Sequence, residues 1–190
     1  MDDAGANAQA GESDAALAIR ARKDSDAVGQ LYWRCANPIF QYCYRATGNR
    51  AIAEDLTSTI FLTVVDKIDR FHGGSFRSWL FTIARHAVID RARTEQRLVP
   101  MPVGHDPADP AHSPEAIVLA NDDALTVREL LGVLSEEQRE VVQLHLAGLN
   151  AAEIADVLGK RHDAIRALQS RALVRLKTFV RENAIQWSAL

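Results

Sequence analysis

Residues 135–181 read SEEQREVVQLHLAGLNAAEIADVLGKRHDAIRALQSRALVRLKTFVR, and the order of signals in this stretch decides the fold. Ser135-Glu136-Glu137-Gln138 fits a capping box, with the Ser135 hydroxyl bonding forward and Gln138 bonding back. The helix it opens is expected to reach Ala147 and stop at Gly148. Asn150 is placed to cap a second helix, Ala151–Leu158, which Gly159 ends. A long third helix runs from about His162 to Glu182. Two helices across a tight glycine turn, the second long and basic, form the pattern of a helix-turn-helix. Ile165, Leu168, Ala172, Leu176 and Phe179 make its core stripe. Arg166, Ala167, Ser170 and Lys177 point the other way, Arg171 sits on the flank, and Val174 is the one larger apolar residue on the outer face. Mostly short or basic side chains there suit close approach to a major groove. Lys160 and Arg161 precede a helix N-terminus, whose backbone N–H groups favour a phosphate.

Charge supports that placement. The net charge of −3 hides a segregation. Residues 1–14 hold four acids and no base, and residues 98–127 hold five acids and no Lys or Arg, leaving a net +6 for the rest. The stretch 160–181 has seven bases (Lys160, Arg161, Arg166, Arg171, Arg175, Lys177, Arg181) against Asp163 alone. A charge run is usually a solvated face. Set on the outer face of a helix-turn-helix, this one reads as a polyanion-binding surface.

Outward from that core, residues 98–114 (LVPMPVGHDPADPAHSP) carry five prolines and no periodicity, which reads as an extended, acidic, flexible linker. A short helix is expected over Leu125–Leu134. On the other side of the linker lies a second apolar block. Ser13 caps a short helix to about Arg22. After Asp24 and Ser25 comes a stripe of Val28, Leu31, Tyr32, Cys35, Ile39, Tyr42, Cys43 and Ala46, in which Pro38 is expected to kink or split the helix. Gly48 and Asn49 end it. The next helix has Glu54 and Asp55 near its N-terminus and is expected to bury Leu56, Ile60, Phe61, Val64, Val65 and Ile68. The loop Asp69–Ser75 leads to a helix from Phe76 to about Arg97, with Phe76, Trp79, Leu80, Ile83, Ala84 and Ala87 as its stripe. Its other face carries Arg77, Arg85, His86, Asp90, Arg93 and Arg97. Neither block shows the alternation of strands. The expected fold is therefore all-α: two small helical domains, 13–97 and 123–186, joined by the Pro-rich acidic linker 98–122 and preceded by a flexible acidic tail, 1–12.

The same residues exclude several classes of function. No apolar run approaches the roughly 20 residues of a membrane helix, so no membrane insertion is expected. The acidic start lacks the basic and apolar regions of a secretory signal, which points to the cytoplasm. Cys35 and Cys43, on one helix, lie about 12 Å apart along its axis, too far to bridge, and read as buried thiols. The six histidines and two cysteines show no metal-ligand spacing, and no Gly-rich phosphate loop follows a strand, so neither a metal nor a cofactor is expected. No convergent set of ionisable residues suggests an enzyme.

Three segments in order carry a resemblance. They are Ala53-Glu54-Asp55-Leu56 with Phe61; Asp69-Arg70-Phe71 followed by Ser75-Phe76-Arg77-Ser78-Trp79-Leu80-Phe81-Thr82-Ile83-Ala84-Arg85 and Ile89-Asp90-Arg91; and Leu134–Val141 followed by Gly148-Leu149-Asn150, Glu153-Ile154-Ala155 and Leu158-Gly159. Together they resemble the extracytoplasmic-function (ECF, group IV) sigma factors of bacterial RNA polymerase, over about residues 13–182. The resemblance implies that region 2 docks on the polymerase β′ clamp through Glu54, Asp55, Thr59 and Phe61. It implies capture of an unpaired minus-ten base near Phe71, His86 and Asp90, with Arg77, Arg85 and Arg93 on the backbone. It implies that region 4 meets the β flap and reads the minus-thirty-five element through Lys160, Arg161, His162, Arg166, Ser170 and Arg171. An anti-sigma partner between the domains is a further expectation, and a stand-alone helix-turn-helix regulator is the alternative reading. Residue by residue the bland roles stay open: core packing for Phe71, surface filling for His86, an ion pair for Asp90. The pattern departs from the family at Thr59 (usually an acid), His86 (often Asn), Arg161 (often Ser or Pro), and Leu168-Gln169 (often Arg-Leu). The promoter sequence is therefore not carried over.

Overall fold

The computed structural model describes residues 12–98, 127 and 130–187, and every regular element among them is helical. In chain order these are α1 (Asp14–Ala21), α2 (Ser25–Thr47), α3 (Arg50–Lys67), a 3-10 turn (Ile68–Arg70), α4 (Phe76–Leu98), α5 (Glu136–Leu146), α6 (Ala151–Leu158) and α7 (His162–Trp187). Val127 and residues 130–132 are also helical. The expected linker, apart from Leu98, and the expected tail, apart from Glu12, lie outside the described residues.

The starts and stops follow local chemistry. Ser13, Asp24, Asn49, Ser135 and Asn150 each accept a backbone N–H with the side chain, which satisfies a donor the helix cannot. The capping box at Ser135 is closed in both directions (Gln138 N to Ser135 Oγ 3.4 Å, Ser135 N to Gln138 Oε1 3.1 Å). A second box, between Asn150 and Glu153, opens α6. Gly48 and Gly159 end their helices with φ of 66° and 61°, the left-handed cap where a side chain is strained.

One expectation is narrowed and another corrected. Of the two outcomes expected at Pro38, the split does not occur, and α2 runs unbroken through it. Leu31 and Cys35 before it and Ile39, Tyr42 and Cys43 after it are all buried on one stripe, so packing holds the helix across the missing hydrogen bond. Val65 is exposed, because α3 turns its Leu56, Ile60, Phe61 and Val64 face inward and leaves Val65 on the flank. α3 also starts a turn earlier than expected, at Arg50, and α7 runs on to Trp187.

The core is continuous across both halves of the chain. One buried cluster includes Leu31, Ile39, Ile60, Phe76, Leu80 and Phe81 from the first half and Leu144, Leu149, Ile154 and Ile165 from the second. A smaller cluster gathers Leu131, Leu134 and Ala172. Neither domain therefore stands alone in this structure; α4 rests on α6, and α2 on α5.

Cys35 and Cys43 are buried free thiols in that core. Burial is the main cause that pushes their ionisation up, to about 11 and about 12. Both should resist a thiol reagent at pH 8 in the native protein and react on unfolding. An unfolded thiol ionises first as pH rises above about 9, so the two cysteines should lower stability between there and about pH 11. Denaturant titrations across that range check it: replacing both with Ala should flatten the alkaline decline.

Candidate nucleic-acid interface

The turn between α6 and α7 sets the basic helix at a fixed angle. Gly159 takes the left-handed cap, Lys160 N bonds back to Ala155 O at 3.0 Å, and α7 then begins at His162. Ile165, Leu168 and Ala172 anchor α7 to the core, so the opposite face is displayed. Arg161, His162, Arg166, Ser170 and Arg171 are all exposed, and the three arginines make no ion pair among the described residues. Lys160 Nζ donates to Glu137 Oε1 at 2.7 Å. That hydrogen bond and the lysine charge hold Glu137 below the usual carboxylate range, with a lesser pull from Arg171. Leu168 packs as expected and Gln169 is half-buried, so the polar reading surface belongs to residues 161–171 on the other face. Leu173 and Val174 leave an apolar continuation on it.

In the first half, the expected nucleic-acid residues divide into two groups. His86, Asp90 and Arg93 are exposed along α4, and Asp90 pairs with Arg93 at 3.6 Å. Phe71 is the exception to the expected placement. It is 2% exposed and its ring meets Phe76 edge-on at 5.7 Å and Trp79 at 5.7 Å. This aromatic trio fastens the Asp69–Ser75 loop to α4, so Phe71 acts here as core packing. Arg77 and Arg85 are turned away from solvent, toward the second domain.

The expected polymerase residues also divide. Glu54, Asp55 and Thr59 are exposed on α3, while Phe61 lies beneath them against Tyr32 (4.8 Å, edge-on). Glu54 is held by Arg50 at 2.8 Å. Thr57, Ser58, Thr59 and Thr63 each donate their hydroxyl to the carbonyl four residues back, at 2.7–3.1 Å. Beside this face the sequence reading missed an apolar patch: Trp33 is 82% exposed, Leu62 71%, and Val65 and Tyr32 are also open. Trp33 lies off the helical stripe of α2, which was the available signal. A shallow groove lined by Tyr32, Asn37, Phe40, Glu54 and Ser58 runs between α2 and α3.

A third feature, absent from the sequence reading, is a polar seam between the halves. Arg77 Nη2 donates to Ala147 O at 2.7 Å, and Arg45 Nη2 to Gln143 O at 3.5 Å, so two cations of the first half sit at the C-terminal end of α5, one on its C-cap carbonyl and one on its last turn. Ser75 Oγ donates to Glu153 Oε1 at 2.7 Å and Ser78 Oγ to Glu153 O at 3.4 Å. Arg85 pairs with Glu140, and both side chains are about a quarter exposed. Burial lowers the Arg45 ionisation and raises that of Tyr42, with Glu140 adding to the latter.

Among the described residues there is no group of His, Cys, Asp and Glu able to hold a metal ion, and no helix long and apolar enough to cross a membrane. What the fold presents is an exposed basic face on α7, a polar exposed face on α4, and exposed apolar side chains on α2 and α3. Residues 31–98 match the Sigma-70 region 2 family, and residues 130–178 match Sigma-70, region 4. The class is thus a helical factor of the sigma-70 type, with a region 2 and a region 4.

Relatives narrow it. The chain is 35% identical over 166 residues to the ECF RNA polymerase sigma factor BldN of Streptomyces coelicolor, an alignment spanning 85% of this chain and 63% of BldN. It is 33% identical over 141 residues to ShbA of Streptomyces griseus (70% of this chain, 74% of ShbA). In fold it is similar to CnrH, solved in complex with the cytosolic domain of CnrY (TM-score 0.72, 23% identity, 90% of this chain and 99% of CnrH). It is also similar to RpoE of Bartonella quintana, solved with the anti-sigma factor NepR (TM-score 0.60, 22% identity, 80% and 96%). The chain belongs to the ECF RNA polymerase sigma factors.

The burial of Phe71 separates its two roles. Phe71→Ala should lower stability by about 3–5 kcal/mol, the range for emptying an aromatic core site, and thermal unfolding of the full chain reads this. A ring that served DNA alone would leave the midpoint unchanged.

Proposed function

We propose that this chain binds core RNA polymerase and directs it to particular promoters, with region 2 engaging the minus-ten element and region 4 reading the minus-thirty-five element. The observation that carries the reading is the α7 face: Arg161, Arg166 and Arg171 are displayed, without ion-pair partners among the described residues, by a helix-turn-helix whose buried side is locked by Ile165, Leu168 and Ala172. Free guanidiniums on a rigid helix suit bidentate contacts with guanine or the phosphates. In this reading Lys160, His162 and Ser170 border the same face.

On region 2, Glu54, Asp55 and Thr59 with the neighbouring Leu62 and Trp33 form the polymerase contact, and Phe61 supports it from below. His86, Asp90 and Arg93 lie along the open face of α4 and take the minus-ten strand, joined by Arg77 and Arg85 when these are released. The domain limits follow: region 2 over 13–97, the linker over 98–122 in the polymerase RNA path, and region 4 over 123–186, with contact to the β flap. The chain does no chemistry of its own, since the polymerase joins the nucleotides. It works in the cytoplasm, where the polymerase and DNA are. Control by an anti-sigma partner is supported by a structural neighbour, B. quintana RpoE, which was solved with the anti-sigma factor NepR.

Run-off transcription with core polymerase on a pooled promoter library tests this. Transcripts that depend on the added protein are expected, and their aligned starts give both elements. Tight duplex binding without any new transcript would establish a stand-alone regulator instead. Arg166→Ala and Arg171→Ala should each weaken minus-thirty-five binding by about 1–3 kcal/mol if they read bases. A shift confined to salt dependence would place them on phosphates.

A further inference from the structure

We infer that Val174 extends the reading face of α7 past Arg171 and recognises the C5-methyl group of a thymine in the minus-thirty-five element, an inference that rests on the assignment of α7 to that element.

Val174 is an apolar side chain that packing does not explain. α7 turns Ile165, Leu168 and Ala172 into the core and keeps Leu176 and Phe179 half-buried in line with them. Val174 follows Ile165 by nine residues, about two and a half turns, so it stands on the side opposite that anchor. It is 62% exposed. A branched Cβ in an open helix position lowers helix propensity slightly, so valine there does nothing for the helix itself.

Its surroundings say what would cover it. Arg171 stands three residues before Val174 and Lys177 three residues after it, which sets one cation on each side of the valine. Both are exposed. From Ala164 to Arg181 the chain has five bases and no acid. A surface that closes over Val174 must therefore be apolar at the centre and anionic on both flanks. The major groove of a duplex answers that description. It is about 12 Å wide, close to the diameter of a helix, with phosphates along both rims and base edges on its floor. The apolar group on that floor is the thymine methyl. Ala167 and Ser170, earlier on the same outer face, are short and let the helix come close. Val174 lies about 4.5 Å along the axis from Arg171, so its thymine falls within about two base-pair steps of the contact that Arg171 makes.

Deoxyuridine tests this, because it lacks the methyl and keeps the hydrogen-bonding edge of thymine. Duplexes are first enriched from a random minus-thirty-five library by the full-length chain bound to core polymerase. Each thymine of the enriched element is then replaced singly by deoxyuridine, and binding is read by anisotropy of the fluorescein-labelled duplex. One replacement is expected to weaken the parent about fourfold, the worth of one buried methyl. Val174→Ala is expected to bind that duplex no worse than the unmodified one, and to show the parent's response at every other thymine. Leu173→Ala is the control: Leu173 is 54% exposed but turned about 100° round the helix, so this variant keeps the full methyl effect. Unchanged thermal midpoints establish that both variants are folded. An enriched element without thymine, a parent indifferent to every methyl, or a methyl effect that survives Val174→Ala or vanishes in Leu173→Ala overturns the assignment. Transcription lost in Val174→Ala at unaltered DNA affinity also overturns it, and gives the face to a protein partner. Failure to enrich any element removes the reading of α7 itself, whereas an element whose methyls ignore Val174 removes the methyl contact alone.

Discussion

The arrangement depends on where two half-buried guanidiniums find oxygen. An arginine partly taken out of water keeps its charge and must be met by acceptors. Arg77 is met by the carbonyl of Ala147, the C-cap of α5, and Arg45 by the carbonyl of Gln143 in its last turn, the end of a helix that carries partial negative charge. That single choice sets region 4 against region 2, places Glu140 at Arg85 and Glu153 at Ser75, and lets the apolar cluster run through both halves. A helix end that most proteins leave to water is here capped by the neighbouring domain.

The consequence for function is an asymmetry. Region 4 leaves the basic face of α7 exposed while the seam is formed, because α7 is anchored through Ile165, Leu168 and Ala172 on the opposite side. Of the residues expected at the minus-ten element, His86, Asp90 and Arg93 are exposed, Phe71 is buried, and Arg77 and Arg85 meet region 4. Trp33 and Leu62 are among the most exposed apolar side chains of region 2. Exposed side chains of that size are costly to leave in water, which fits a surface that is covered when the protein works.

Much of this was legible in the chain. Helix starts were readable because Ser13, Ser135 and Asn150 do their capping locally, and the stripe of α7 was readable because 3.6-residue periodicity is a local property. Family motifs located the three anchors, and the open face of α7 followed from them. What was not legible depended on packing, which no local rule reports. Phe71 sits in a loop with no period to betray burial, and its partners Phe76 and Trp79 had already been assigned to the core. Pro38 is a helix breaker by local rules and is overruled by packing on both sides. Val65 was misplaced because a stripe with neighbouring apolar residues does not say which of two flanks is covered. The seam joins residues some 55 to 98 positions apart, and nothing in the separate segments announces it.

The hydroxyl row on α3 has a bearing on the partner rather than on this chain. Ser58, Thr59 and Thr63 spend their protons on their own helix, so each offers the outside only lone pairs. Where an acid is usual, Thr59 therefore presents an uncharged acceptor. In the proposed contact a complementary surface must supply donors to these hydroxyl oxygens and positive charge to the exposed Glu54 and Asp55 beside them. The hydroxyl part of that contact keeps its strength as salt rises while the carboxylate part weakens, so salt would thin the proposed grip rather than abolish it.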